Sequence, residues 1–207
     1  MKKSIIYIDG FNLYYGAVKG TPWKWLDLEK YFTLLRQDDD IQQIKYFTAP
    51  ISGSHRQNQN NYLLALSTLP RVEIILGKFK TKQVKCLVSN CTYRGPKIFN
   101  QQEEKRTDVN IALHMLHDAF EESCDRIILV SGDSDIVSAL AMIKNINPKI
   151  ELIVYIPARN PIRGAAVELR NVADKSRTLP NAMLKIAQLP PTIQDSSGNV
   201  INKPQSC

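Results

Sequence analysis

Nowhere does the sequence hold an apolar run near the ~20 residues that a membrane-spanning helix requires; its purely apolar stretches are short, such as Ile127–Val130. The start, Met1-Lys2-Lys3 followed by Ile5–Ile8, begins like a secretory leader. Asp9 interrupts it before an apolar region of about 7–15 residues can form, so a cytoplasmic protein is expected. Cysteine is sparse. Cys86, Cys91, Cys124 and Cys207 are too few and too scattered for a disulfide framework in a chain of 207 residues. Cys86 and Cys91 have no second pair nearby, whereas a zinc site takes four nitrogen or sulfur ligands, so ordinary thiols in a loop are expected. Also missing are the G-x-G-x-x-G dinucleotide loop, the G-x-x-x-x-G-K-S/T phosphate loop and the G-x-S-x-G nucleophile elbow. Their absence argues against the commonest nucleotide-binding and hydrolase sites of α/β proteins.

What is present is ordinary globular composition, 43% hydrophobic and 23% charged, with an uneven charge distribution. The net charge is +7. Residues 78–106 carry eight Lys/Arg and two Glu, whereas residues 107–157 carry three Lys/Arg and eight Asp/Glu. A basic stretch beside an acidic one suits chemistry on a polyanion, because cations hold phosphates and carboxylates hold metal ions. Solvated surface charge would give the same count, so placement has to decide between the two.

Strand and helix signals alternate along the chain. Ser4–Ile8, Ile41–Thr48, Val72–Leu76, Ile127–Val130 and Ile150–Ile156 read as strands, and Asp27 caps a helix beginning at Leu28. A further helix is expected over about Ser54–Thr68, and others follow Ser134 and lie near Ala165–Asn171 and Asn181–Gln188. Lys78, Lys80 and Lys82 alternate with Phe79 and Thr81, which puts the lysines on one face of an extended segment. Cys86–Glu104 reads as a long irregular loop. Thr107 is placed as the cap of an amphipathic helix that buries Val109, Ala112, Leu113, Leu116 and Phe120. Asn110, His114, His117, Asp118 and Glu121 then face solvent. Continuous apolar strands separated by helices imply a parallel sheet of about five strands covered on both faces. Residues 1–189 are expected to form this one domain, and the Pro-rich, polar residues 190–207 a disordered tail.

Ligands of such sheets bind beyond the carboxyl ends of the strands, where strand order reverses. Asp9 ends the first strand, and Asp133 and Asp135 follow Ile127–Val130. Asp108 begins the helix that feeds that strand, so its end of the helix returns to the same rim. Taken singly, Asp108 reads as a favourable first-turn anion, Asp133 as a turn residue and Asp135 as an N-cap. Together they form a rim of carboxylates that would repel one another without a cation. Hard divalent ions take oxygen ligands and activate water for attack at phosphorus. Asn12 and Ser131 stand beside these aspartates and are candidates to orient ligands or water.

Three segments, Ile6-Tyr7-Ile8-Asp9-Gly10-Phe11-Asn12, Lys105-Arg106-Thr107-Asp108-Val109-Asn110 and Val130-Ser131-Gly132-Asp133-Ser134-Asp135, resemble the NYN domain in order and spacing, within its LabA-like branch. The resemblance spans roughly Met1 to Leu179. It implies a fold related to PIN-domain ribonucleases, Mg²⁺ or Mn²⁺ held by Asp9, Asp108, Asp133 and Asp135, and endoribonuclease activity. The second segment departs from the family pattern in reading Lys-Arg-Thr before Asp108, where a small residue and Ser are expected, although Thr107 keeps the hydroxyl. Some relatives carry the name of a pyridine-ring hydroxylase, but no flavin or haem signature is found in the sequence. The expectation is therefore a metal-dependent endoribonuclease. Lys78, Lys80, Lys82, Lys105 and Arg106 would track the RNA backbone, with Phe79, Tyr93 and Phe99 available for stacking. A non-catalytic RNA-binding or assembly module and a metal-dependent enzyme acting on a small molecule are the alternatives. Oligomeric state is not indicated.

Overall fold

The computed structural model describes residues 1–158 and 167–205. Its centre is a six-stranded sheet in the order β3-β2-β1-β6-β7-β8. The strands are β1 (Lys2–Asp9), β2 (Asp39–Thr48), β3 (Val72–Leu76), β6 (Arg126–Val130), β7 (Glu151–Ile156) and β8 (Lys175–Thr178). Every pairing in this sheet is parallel. Strand order reverses between β1 and β6, so the two strands that deliver the motif aspartates are neighbours, with Ile8 opposite Val130. The sixth strand, β8, is short and has no apolar alternation that would reveal it in the sequence.

Alternation within β1 explains the two covering layers. Ile6 and Ile8 point to one face, packing with Leu13, Leu28, Tyr31, Phe32 and Leu66. These come from α1 (Gly10–Leu13), α2 (Leu28–Leu35) and α3 (Arg56–Leu66). Ile5 and Tyr7 point to the other face, against α4 (Thr107–Phe120), α5 (Val137–Ile146) and α6 (Val167–Val172). This three-layer arrangement is that of a PIN-like α/β fold. Asp27 caps α2 as the sequence indicates, accepting from Lys30 N at 2.9 Å. Among the described residues no helix is long and apolar enough to cross a membrane.

The structure corrects several sequence expectations. Helix α4 buries Ile111, Met115 and Ala119, while Val109, Leu113 and Phe120 are exposed. Two stripes with helical spacing compete on this helix, and the one that packs on the sheet also carries a buried polar contact. Asp118, expected at the surface, is buried and accepts from Lys45 Nζ (2.5 Å) and from the Tyr7 hydroxyl. Burial pushes the Asp118 carboxyl up, but those hydrogen bonds outweigh it and hold the group below its ordinary value. Thr107 is the first residue of α4, not its cap; Arg106 precedes it with φ of 81°, in the left-handed region that a non-glycine residue seldom adopts.

The expected irregular loop keeps that character over residues 86–97, but its last part, from Ile98, is a strand. β5 (Ile98–Lys105) pairs antiparallel with β4 (Lys78–Lys85) over their whole lengths, forming a hairpin outside the main sheet. Residues 190–205 are not a disordered tail. β9 (Thr192–Gln194) and β10 (Val200–Asn202) form a second hairpin, and Ile201 packs with Trp25, Ala65 and Leu189. Burial of one isoleucine there contributes roughly 1.5–3 kcal/mol, and the Trp25 indole also donates to Pro190 O (2.8 Å). The expected helix near Ala165 falls partly outside the described residues, as does Cys207.

Candidate active site

Asp9 stands at the carboxyl end of β1, 3% exposed, and caps α1. Its Oδ1 accepts from Asn12 N at 2.9 Å, and its Oδ2 accepts from Asn12 Nδ2 at 2.5 Å and from Ser131 Oγ at 3.2 Å. Asn12 Oδ1 in turn accepts from Gly132 N at 3.1 Å, which ties the β1 end to the loop after β6. Ser131 is fully buried and relays the contact onward, its Oγ accepting from Asp133 N at 3.1 Å. Asp133 Oδ1 then accepts from Asp135 N at 3.0 Å. A continuous chain of hydrogen bonds thus joins Asp9, Asn12, Ser131, Asp133 and Asp135. The structural reading of Asp133 as a turn cap is met, yet its charge still acts on the other acids.

Those charges are coupled. Burial raises the Asp9 carboxyl above its ordinary value against the opposing hydrogen bonds, and Asp133 adds to the rise. Asp108, at the start of α4, is pushed up to about 6 by burial, then by Asp133, Asp9 and Asp135. A fifth acid joins them that the sequence analysis did not select. Burial pushes Glu104 up to about 7; a hydrogen bond from the Thr107 hydroxyl opposes this, and Asp9 and Asp108 add to it. Glu104 escaped notice because its strand is polar and reads as loop. Its pairing with Phe79 in the hairpin is the feature that brings it to the rim.

The same register separates the basic residues from the acids. Phe79 and Glu104 share one hairpin face, and Phe79 meets Phe11 edge-on at 5.6 Å beside the rim. Lys78, Lys80, Lys82 and Lys105 occupy the opposite, exposed face, with Lys105 paired to Glu103 at 2.6 Å. The structure therefore brings Asp9, Asn12, Asp108, Ser131, Asp133 and Asp135 together and turns the lysine stripe away from them. Arg106 is exposed at the junction of hairpin and helix. Tyr93 and Phe99 are exposed, and Cys86 and Cys91 are free thiols.

Among the described residues, no three acidic, histidine or cysteine side chains converge closely enough to enclose a metal ion. The acids present an open rim of like charge. That donor set fits a hard cation such as Mg²⁺, which typically takes one or two carboxylates and completes its shell with water and phosphate oxygens, and it does not fit a closed all-protein cage.

Next to the rim, on the α3 side of the sheet, lies a cavity of about 340 Å³. Its walls include Phe11, Tyr14, Tyr15, Tyr46 and Tyr62. Tyr46 is buried against Gly10, where an added Cβ would lie 2.7 Å from the ring Cζ and 2.7 Å from Phe47 O. Only glycine lets the ring approach the end of β1 so closely. Burial raises the Tyr46 hydroxyl well above its ordinary value, and the charges of Asp9 and Glu104 add to the rise.

Comparison with known proteins agrees with this architecture. The chain is 32% identical, over an alignment 233 positions long, to 6-hydroxy-3-succinoylpyridine 3-monooxygenase HspA of Pseudomonas putida (strain DSM 28022 / S16). That match covers 97% of this chain and 74% of the relative. A solved structure of a protein of unknown function from Vibrio parahaemolyticus RIMD 2210633 shares the fold, with a TM-score of 0.56 at 22% identity over 87% of this chain and 94% of that one. The NYN domain itself matches residues 3–180, a span that contains every rim aspartate together with the sheet that carries them, and the chain belongs to the NYN domain family.

Proposed function

We propose that this protein is an endoribonuclease that cleaves RNA phosphodiester bonds with Mg²⁺ or Mn²⁺ at the acidic rim, and that it belongs to the LabA-like branch of its family. The observation that carries the reading is the coupled set Asp9, Asp108, Asp133 and Asp135, delivered to one edge by β1, β6 and the start of α4. NYN membership supports nuclease-like chemistry. Within the set of Asp9, Asp108, Asp133 and Asp135, one or two carboxylates would ligate the ion directly and the others would attract it through its water shell, with Glu104 adding negative charge beside them. A bound ion of this kind lowers the pKa of its water and stabilises the oxygens of an in-line displacement. The chain's own residues fix the geometry. Asn12 and Ser131 hold the Asp9 carboxylate in one orientation, and the Asp133–Asp135 turn holds a second carboxylate against the same opening. We place this activity in the cytoplasm.

A second reading has its own observation. The relative's name assigns to that protein a monooxygenase reaction on a succinoylpyridine, and an aromatic cavity adjoins the rim here. In that reading the substrate is a small aromatic molecule, and RNA would neither bind tightly nor be cut.

One assay separates the two. Mixed RNA substrates are incubated with Mg²⁺ or Mn²⁺, with and without chelator, using wild type and Asp133→Asn. Ion-dependent cleavage that the substitution abolishes is the expected result. RNA left intact with every ion overturns the nuclease reading, and RNA bound but uncut would point to a binding module.

A further inference from the structure

The aromatic residues that follow the first motif have no part in holding an ion. After α1 the chain forms a π-helical turn over Tyr14–Val18, an irregularity frequently found at functional sites. Gly16 presses this turn on the end of β7, since a Cβ there would lie 2.1 Å from Pro157 O. The turn sets out a ring array: Phe11 and Tyr15 are nearly parallel at 6.4 Å, and Tyr14 meets Tyr15 at 81° and 5.2 Å. Tyr46 and Tyr62 lie perpendicular to each other at 6.3 Å in the same cavity. The Tyr62 hydroxyl donates to Leu26 O at 2.9 Å, which fixes its ring. Such preformed rings offer faces and edges to a flat aromatic guest.

Charge and position narrow the guest. Lys19 and Lys24 are in the cavity wall, and Lys19 Nζ sits 4.6 Å from the centre of the Tyr15 ring. A guest with an anionic group beside its ring would be met by the Lys19 ammonium. The volume of about 340 Å³ is at the small end of ligand sites, roughly 300–1,000 Å³, enough for one ring system and its attached group. Tyr46 is wall to this cavity and neighbour to Asp9 and Glu104.

We propose that this cavity binds a flat aromatic ring bearing an anionic group: the base and phosphate of the RNA nucleotide next to the bond to be cut. The assignment rests on the nuclease reading. It makes the cavity the device that selects which base precedes or follows the cut, while the rim does the chemistry. A free nitrogen-heteroaromatic acid offers the same combination of a flat ring and an anion in a smaller molecule, so the test must tell the two sources apart.

Binding is measured on the full chain in chelator by ligand-observed NMR and calorimetry. The probes are the four nucleoside 5′-monophosphates, a short oligoribonucleotide and pyridine-3-carboxylate. Tyr14→Ala and Tyr15→Ala are tested separately, because both rings are partly exposed and their loss leaves the core intact. Tyr15→Phe serves as the conservative control. Loss of one stacking face is worth about a tenfold or greater weakening, so nucleotide binding should fall at least that far in each alanine variant and persist in Tyr15→Phe. In cleavage, Tyr14→Ala should flatten the preference for the base at the cut site. Nucleotide binding unchanged in both alanine variants overturns the proposal. Pyridine-3-carboxylate binding without nucleotide binding overturns the RNA assignment. RNA cleavage with unaltered base preference sinks the cavity's role and leaves the nuclease reading standing. Nucleotides that bind through the tyrosines in a protein that cuts no RNA support the cavity and refute the nuclease.

Discussion

Replacing Asp133 by Asn removes one charge from the rim and keeps its shape. Asp133 Oδ1 caps its turn through Asp135 N at 3.0 Å, and an amide oxygen does the same. What the variant loses is repulsion, since Asp133 pushes up the carboxyls of both Asp9 and Asp108. Asp133 is half-buried and Asp135 exposed, so solvent screening limits the gain to about 0.5–1 kcal/mol. In a chain of this size 1 kcal/mol moves Tm by about 2–4 °C. In chelator, Asp133→Asn should therefore melt about 1–4 °C above wild type. Mn²⁺ should reverse the order. An ion that binds only the folded state adds about 2.7 kcal/mol at a hundredfold excess over its Kd, or about 5–11 °C for wild type. The variant, with a weaker site, should shift much less. Thermal melts of both proteins in EDTA and in Mn²⁺ give the four numbers needed. A lower Tm for the chelated variant, with equal Mn²⁺ shifts for both proteins, would refute the reasoning and leave the aspartates as turn caps.

Lys80→Glu with Lys82→Glu should weaken long RNA and lower its salt slope by about 1.4, at roughly 0.7 per single-strand phosphate contact. Because these lysines face away from Glu104, cleavage of a short oligonucleotide should be spared; equal losses on both lengths would contradict the register. At the opposite end of the sheet, hydrogen bonds from Lys175, Lys2 and Arg126 hold Glu151 far below the usual carboxylate range. An unfolded glutamate titrates near about 4.3, so this contribution is complete above that pH and is lost as pH falls toward the lower folded value. Wild-type stability should thus drop more steeply than that of Glu151→Gln between about pH 4 and pH 2, and parallel curves would rule the linkage out. Cys86→Ser with Cys91→Ser should leave melting and cleavage nearly unchanged, because two ligands make a poor zinc site. Stoichiometric zinc in the purified protein, lost on this double change, would argue otherwise.

The sequence alone determined what depends on local pattern. Continuous apolar strands alternating with helices require a parallel sheet with two covered faces. A crossover helix must then start at the rim where strands end, which carries Asp9, Asp108, Asp133 and Asp135 to one edge. The three motifs marked the family for the same reason: each is a short contiguous stretch. Tertiary structure decided the rest. Helix α4 has two stripes of helical spacing, and its packing on the sheet buries the one with Ile111, Met115 and Ala119, which also brings Asp118 to Lys45 and Tyr7. β5 carries no apolar alternation, so its strand conformation comes from pairing with β4, and that register alone sends Glu104 toward the acids and the lysines away. The hairpin of β9 and β10 is ordered by a few long-range apolar contacts to Trp25 and Ala65. The aromatic cavity collects walls from α1, β2 and α3, segments far apart in the chain. Periodicity reports which way a side chain points from its own element; which residue waits on the other side is set by the packing of elements against one another.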